Sequence, residues 1–415
     1  MKATLTNQSP VLKRLYPNGV NEILYKASLL FKNCKKDTQF LGEDKAVVVH
    51  ISGTNGGSAN FADALASQGA TRKVRFIVNR KREYQVYSVD GEAIAATNGD
   101  KGSIVRVLKE EMDKAMYRFD RAMAKRASGK GGGSIGVISS GTTLTSTTLT
   151  FASRTDIQWV EVGDQLQFAD GDGTDPSADP ADLLDGGETL TVSAVDRAAG
   201  SITVSAAINT IAGIATGDYV FRRGDYSRAM TGLLGWCPTS APAASESFFG
   251  VDRTDYDVLR LSGFRYTAGA GGQKEALVIN GAAEAAIHGI EVEMLYCNPL
   301  DYAAFINELG SVRQRNSSED GKVGYKMIEI HTPAARGGTL KVVSDPGIPA
   351  GYGLAINNDE FVLGTAGECP SMLDHAGLGG RGLLTPQDDD AVQGRLGCYG
   401  NFWHVNPGNA IIFQF

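Results

Sequence analysis

KGSIVRVLKEEMDKAMYRFDRAMAKRAS, Lys101 to Ser128, is the stretch from which the fold can be read. Ile104, Leu108, Met112, Ala115, Phe119 and Ala122 recur at three- and four-residue spacing, so they line one side of a helix as an apolar stripe. Glu110 and Lys114 stand in the favourable i,i+4 order. Arg118, Arg121, Lys125 and Arg126 crowd the C-terminal end, where the helix dipole favours cations. Gly129 and Gly131 to Gly133 stop the helix. At about 1.5 Å per residue it is roughly 40 Å long, more than a small domain requires.

Toward the N-terminus two strand-like segments precede this helix. Lys45 to Ser52 is rich in Val and Ile, and Lys73 to Val89 alternates through Val74, Phe76, Val78, Tyr84 and Val86. Between them lies a Gly/Ser/Asn-rich stretch, Gly53 to Asn60, and Arg80 to Arg82 interrupt the second segment at a turn. The pair reads as a long β-hairpin projecting from the body. Such a hairpin cannot bury both faces alone and needs a neighbour. Residues 1–40 read as an extended arm with one short helical stretch, Asn21 to Phe31.

On the C-terminal side the character changes sharply. From Ser134 to Asp225, Thr, Ser, Val and Gly dominate, and short alternating segments recur, with two Gly-Asp turns at Gly163-Asp164 and Gly217-Asp218. This predicts an inserted all-β domain, a small barrel. Mixed α/β patterning then returns. Gln273 to His288 is an Ala-rich helix closed by Gly289, and Ile290 to Tyr296 alternates as a strand. Asn298 caps a second helix with Pro299 at its first position, and Tyr302, Phe305, Ile306 and Leu309 form its buried face. Strands follow around Met327 to Ile330 and Leu340 to Val343, and Ile411 to Phe413 tuck the end of the chain into a sheet.

Composition bounds the rest. At 415 residues the chain exceeds one ordinary core, and 42% hydrophobic with 21% charged residues is globular composition. The longest apolar runs are too short to span a bilayer, and residues 1–10 carry no signal-segment pattern, so a soluble chain made in the cytoplasm is expected. Cys34, Cys237, Cys297, Cys369 and Cys398 show no metal-ligand spacing and read as free thiols of a reducing compartment. Residues 1–133 hold 23 Lys+Arg against 13 Asp+Glu, a net of +10, while the remainder holds 17 against 34, a net of −17. A basic front and an acidic back suggest that copies meet front to back. The candidate interface residues are therefore Arg72, Lys73, Arg75, Arg80, Lys81 and Arg82, with Asp388, Asp389 and Asp390 as acceptors. No aromatic-plus-basic pattern for nucleic acid emerges in the basic part.

Arm, hairpin, long helix and later α/β part follow one another in an order that resembles the tailed-phage and herpesvirus capsid fold, the Johnson or Hong Kong ninety-seven fold. The run AAIHGIEVEMLYCNPLDYAAFINELG (Ala285 to Gly310) is similar to that family's helix, strand and Asn-Pro-capped helix. GTLKVVSDPGIPAGYGLAI (Gly338 to Ile356) is similar to its strand, Asp-Pro turn and strand. FFGVDRTDYDVLRLSG (Phe248 to Gly263) resembles its re-entry into the body after an insertion. The resemblance covers about 320 residues, by this matching of patterned segments, and omits the region from 134 to 225.

It implies an α+β chain divided into an N-terminal arm (1–40), an extended hairpin loop and start of a peripheral domain (41–100), and a spine helix with Gly-rich linker (101–133). The inserted all-β domain (134–225), a mainly apical α/β domain (226–375) and a C-terminal return to the body (376–415) follow. It also implies a major capsid protein that is not an enzyme and needs no cofactor or metal. Such a protein self-assembles through hexamers and pentamers into an icosahedral virion shell around non-specifically packaged double-stranded DNA, in the host cytoplasm. Scaffold, portal and cement proteins are further candidate partners, and no membrane is involved. No Lys/Asn isopeptide pair is matched. Competing readings are an encapsulin-like compartment shell and a β-rich phage fibre or carbohydrate-binding adhesin.

Three short patterns in the chain resemble chemical motifs but lack their context. Gly132-Gly133-Ser134-Ile135-Gly136 fits GxSxG, but a helix precedes it and strand-like sequence follows, the reverse of what a nucleophile elbow needs. Gly377 to Gly382 fits GxGxxG without the strand-to-helix context. Asp170, Asp172 and Asp175 lack calcium-loop spacing. His50, His288, His331, His375 and His404 stand apart from any Cys or Glu spacing that would suggest a zinc site.

Overall fold

A computed structural model describes residues 28–90, 101–267, 273–308, 328–372, 383–384 and 391–415. The long helix forms over Lys101–Ser128, with the bounds its periodicity predicts. Met112, Ala115, Met116, Phe119 and Met123 bury one side of it in the main core, and Ala124 on the other side enters the core of the β module. One helix thus serves two hydrophobic clusters.

Two strands, Asp44–Ser52 and Arg72–Asn79, form the antiparallel hairpin, but it is shorter than expected. The chain breaks at Arg80, and Lys81–Asp90 leaves the hairpin to pair with the long strand Ala391–His404, from Lys81↔Gly400 to Asp90↔Ala391. Burial explains the split. Glu83, Tyr87 and Val89 alternate on the buried side of Lys81–Asp90, and Tyr87 and Val89 join the main core. Around this pair a six-stranded sheet adds Lys35–Asp37, Phe361–Thr365, Ser371–Met372 and Leu383–Leu384. The expected helical stretch from Asn21 falls mostly outside the described residues. What is described is a helix at Leu29–Asn33, capped by Ser28.

Six strands between Ser134 and Arg222 form a second sheet, ordered Ser134–Val137, Tyr219–Arg222, Gln165–Ala169, Leu190–Asp196, Ser201–Val204, Thr148–Thr150. A bridge between Ile138 and Phe151 joins its two edges, so the sheet closes on itself around Ile135, Leu149, Leu166, Phe168, Val192, Ile202 and Val220. The two Gly-Asp turns are built alike. Glycines 163 and 217 take positive φ of 91° and 99°. The following carboxylates accept from the N–H three residues back, Glu161 to Asp164 at 2.9 Å and Ala215 to Asp218 at 2.7 Å. The Gly-rich linker before the module is closely packed: a Cβ on Gly132 would lie 1.9 Å from the Asp172 carbonyl oxygen.

The third sheet runs Phe264–Thr267, Ile411–Gln414, Tyr352–Ile356, Met294–Cys297, Thr339–Ser344, Ile328–His331. Helices Lys274–Ile287 and Pro299–Glu308 accompany it, the second capped by Asn298 Oδ1 accepting from Leu300 N–H at 3.1 Å. Phe305 is buried as expected, but Ile306 is 38% exposed, and the buried face includes Asp301 instead. That carboxylate is held by Lys274 and by the Gly351 N–H, which offset its desolvation. Leu309 lies outside the described residues. The expectation of five free thiols is also corrected. Cys369 and Cys398 are joined by a disulfide, while Cys34, Cys237 and Cys297 are free and buried. Pairing of Ser371–Met372 with Leu396 and Gly397 sets the two sulfurs side by side, a proximity that no local spacing encodes.

Candidate subunit interface

Alternation along the hairpin separates two faces. Val47, Val49, Phe76 and Val78 point inward, and Phe76 meets the Trp236 ring edge-on at 5.2 Å. The outward positions pair as Ala46↔Ile77, Val48↔Arg75 and His50↔Lys73. Val48 is 50% exposed, Ile77 is 37% exposed, and Arg72, Lys73 and Arg75 are exposed beside them. None of these three cations has an ion-pair partner among the described residues. Near the far end of the hairpin, the helix Phe61–Ala66 leaves Phe61 81% exposed. One sheet face and a neighbouring helix therefore offer exposed apolar area and positive charge without an ion-pair partner among the described residues.

The other three cations behave differently. The Arg80 N–H donates to the Glu43 carbonyl at 3.2 Å, and its Nη1 reaches the Phe40 carbonyl at 3.5 Å. Lys81 turns inward and its Nζ donates to the Ser227 carbonyl at 2.9 Å; burial, and then Arg228, lower its pKa. Arg82 is exposed opposite Tyr399 in the ladder. The run of six is thus divided into three exposed cations on the hairpin, Arg80 at the break, and Lys81 and Arg82 at the start of the next strand. Asp388, Asp389 and Asp390 lie outside the described residues. Ala391, which follows them, pairs with Asp90, eight positions along the ladder from Arg82. At about 3.4 Å per residue that is roughly 27 Å.

Sequence reasoning missed the charged network behind this surface. Arg126, near the end of the long helix, donates from Nε to Glu83 Oε2 at 2.9 Å and from Nη2 to Asp225 Oδ2 at 2.6 Å. Burial alone would lower its pKa, but Asp225 and then Glu83 outweigh it and hold the guanidinium above its usual range. Arg121 reaches Glu161 at 2.8 Å, and Arg118 pairs with Asp164. Lys125, its pKa lowered by burial, donates to the Ile135 carbonyl at 3.3 Å and lies over the Trp159 ring. The cations at this helix end, assigned to the helix dipole from sequence, tie the helix to the β module and to strand Lys81–Asp90. Nothing in their spacing marks those partners, and the carboxylates that meet Arg118, Arg121 and Arg126 lie 40 to 99 residues away in the chain.

The Ser134 and Asp172/Asp175 patterns form no site among the described residues. Ser134 Oγ donates to the Gly136 carbonyl at 3.3 Å from the start of a strand, so it is not presented on a strand-to-helix turn. Asp172 and Asp175 accept from the N–H groups of Thr174 and Ser177 as turn contacts. Gly377 to Gly382 lies outside the described residues. Among the described residues no group of His, Cys, Asp and Glu is arranged to hold a metal, and no helix is long and apolar enough to cross a membrane.

No protein-family model and no curated protein matches the chain. Solved structures similar to it include phage capsids, GTA-particle capsids and a virus-like particle. One is the capsid asymmetric unit of cyanophage A-1(L), at 9% identity and a TM-score of 0.48, covering 94% of this chain and 93% of that one. Another is the procapsid of satellite phage P4 with its size determination protein, at 10% identity and 0.42, covering 97% and 90%. A third is a virus-like particle from Pyrococcus furiosus, at 8% identity and 0.38, covering 96% of each chain.

Proposed function

We propose that this chain is the major capsid protein of a tailed bacteriophage, a structural subunit without catalytic activity. It assembles through hexamers and pentamers into an icosahedral virion shell in the host cytoplasm and encloses double-stranded DNA there. The carrying observation is the exposed hairpin face, where Val48 and Ile77 stand among Lys73 and Arg75, with Arg72 exposed at the start of the same strand. A monomer gains nothing from holding three unpaired cations beside exposed apolar area. A neighbouring copy, whose residues 134–415 carry a net charge of −17, gains on both counts. In this reading the hairpin lies across an adjacent subunit and pairs with its carboxylates, Asp388 to Asp390 being candidates.

The division into arm (1–40), hairpin loop (41–100), spine helix (101–133), inserted β domain (134–225), apical part (226–375) and C-terminal return (376–415) belongs to the same proposal. The meeting of the module's two ends supports an insertion: the Ser227 N–H donates to the Gly132 carbonyl at 2.9 Å. Scaffold, portal and cement proteins are the further partners such a shell would recruit. Negative-stain micrographs of the purified chain test the reading. Shells or capsomers are expected, and a population of separate monomers at assembly concentrations would overturn it.

A further inference from the structure

The interface leaves the sulfur chemistry of the chain unused. Cys369 and Cys398 are bonded with their Cα atoms 5.1 Å apart and a sequence separation of 29. Apart from this bond, the segment around Cys369 is lightly held to strand Ala391–His404. The Ala366 N–H donates to the Tyr399 carbonyl at 2.8 Å, Ser371 Oγ donates to the Gly397 carbonyl at 3.3 Å, and the pairing covers only Ser371 and Met372. So short a ladder is marginal by itself. Accessibility differs between the two sulfurs. Cys369 is half-buried, whereas Cys398 is fully buried, opposite Glu83 in the ladder. The three remaining thiols are enclosed, and burial pushes each of them up to about 12, so they stay protonated and inert at neutral pH.

We infer that Cys369 and Cys398 are an oxidation site that locks residues 366–372 onto the strand Ala391–His404 after assembly, when the particle leaves the reducing cytoplasm. The timing rests on the capsid reading, because thiol pairs in a reducing cytosol remain thiols. The pairing itself rests only on the fold. A small-molecule disulfide such as oxidised glutathione is the oxidant. The accessible Cys369 thiolate attacks one of its sulfurs, forming a mixed disulfide and releasing one glutathione thiolate. The Cys398 thiolate then attacks Cys369 Sγ and displaces the second. The two cysteine protons end on the two released thiolates. Two electrons pass from the cysteine pair to the oxidant.

The test uses the full chain, with thiols trapped by alkylation at lysis or after exposure to oxidised glutathione, followed by peptide mapping. At lysis all five cysteines should be alkylated once the chain is unfolded. After oxidation a crosslinked peptide joining Cys369 to Cys398 should replace their two alkylated peptides, and Cys34, Cys237 and Cys297 should react only on unfolding. Oxidation should raise the Tm by roughly 3 °C, as expected for closing a loop of this length in a chain of this size. Cys369→Ser should abolish that shift while leaving the reduced melting curve unchanged. A crosslink already present at lysis would overturn the late timing, and no crosslink after oxidation would overturn the site. An equal oxidant-induced shift in Cys369→Ser would also overturn it. Shell formation is scored separately by microscopy, so a bond that forms in a chain making no shells would sink the capsid reading and its timing, and spare the pairing.

Discussion

At the residue scale, two buried groups carry consequences that exposure alone would not predict. Arg126 holds Glu83 and Asp225 at once, joining the strand after the hairpin, the long helix and the exit of the β module. Removing it strands a buried carboxylate, which costs about 3–5 kcal/mol in comparable cases. Arg126→Ala should therefore lower the urea midpoint sharply, and a loss below about 1 kcal/mol, the scale of an exposed pair, would contradict the network. His404 is fully buried, and burial lowers its pKa to about 4 while the Asn406 backbone opposes the shift. The depressed value means that the unfolded chain takes up the proton first as pH falls. Stability from the neutral ring is then whole above about 6.5 and is lost progressively toward about 4. The effect is on the order of 3 kcal/mol. His404→Phe should flatten the stability slope across that window in denaturant titrations, and an unchanged slope would exclude His404 as its source. Neither residue could be singled out from sequence, since Arg126 is one of several cations at a helix end and His404 one of five scattered histidines.

At the element scale, the hairpin shows how far patterning reaches. Alternation located both strands and the basic cluster, but not where the second strand changes partners. Hydrogen-bonding capacity is alike on both sides of Arg80, and only burial of Tyr87 and Val89 in the main core selects the long C-terminal strand. The change matters for mutagenesis. Because Lys81 is anchored to the Ser227 carbonyl, reversing residues 80–82 would disturb folding as well as surface charge. Arg72→Glu/Lys73→Glu/Arg75→Glu is the cleaner test, since all three are exposed and none has an ion-pair partner among the described residues. It should give folded capsomers or monomers, by circular dichroism and light scattering, that fail to form shells. Exposed pairs are worth only about 0.2–1 kcal/mol each, but a shell repeats every contact. Normal shells from this variant would show that the cations merely face solvent. Raising salt should weaken wild-type assembly in the same direction, because exposed charges beyond about 8–10 Å are screened.

At the scale of the whole molecule, the β module has its own closed sheet and core, yet the long helix reaches it through Arg118, Arg121 and Lys125. Residues 134–225 expressed alone should give a β-type circular dichroism spectrum and a cooperative melt. Their Tm should be below that of the module within the chain, because Asp164 and Glu161 lose their arginines. A featureless coil spectrum would show that the closed sheet depends on the helix. If the chain forms the shell proposed above, the module's net charge of −9 suits an outward-facing, hydrated surface that keeps particles apart.

The sequence by itself determined the long helix, the hairpin strands, the composition break that marks the module, and the capped helices of the third sheet. Each rests on periodicity, capping or turn chemistry acting within a few residues, so each is written locally. Tertiary structure alone decided the partner of Lys81–Asp90, the Glu83–Arg126–Asp225 network, the Cys369–Cys398 bond and the burial of Asp301. In every one of these, groups far apart in the chain are brought together by the packing of apolar faces. That packing minimises exposed area over the whole molecule and leaves no mark on local spacing.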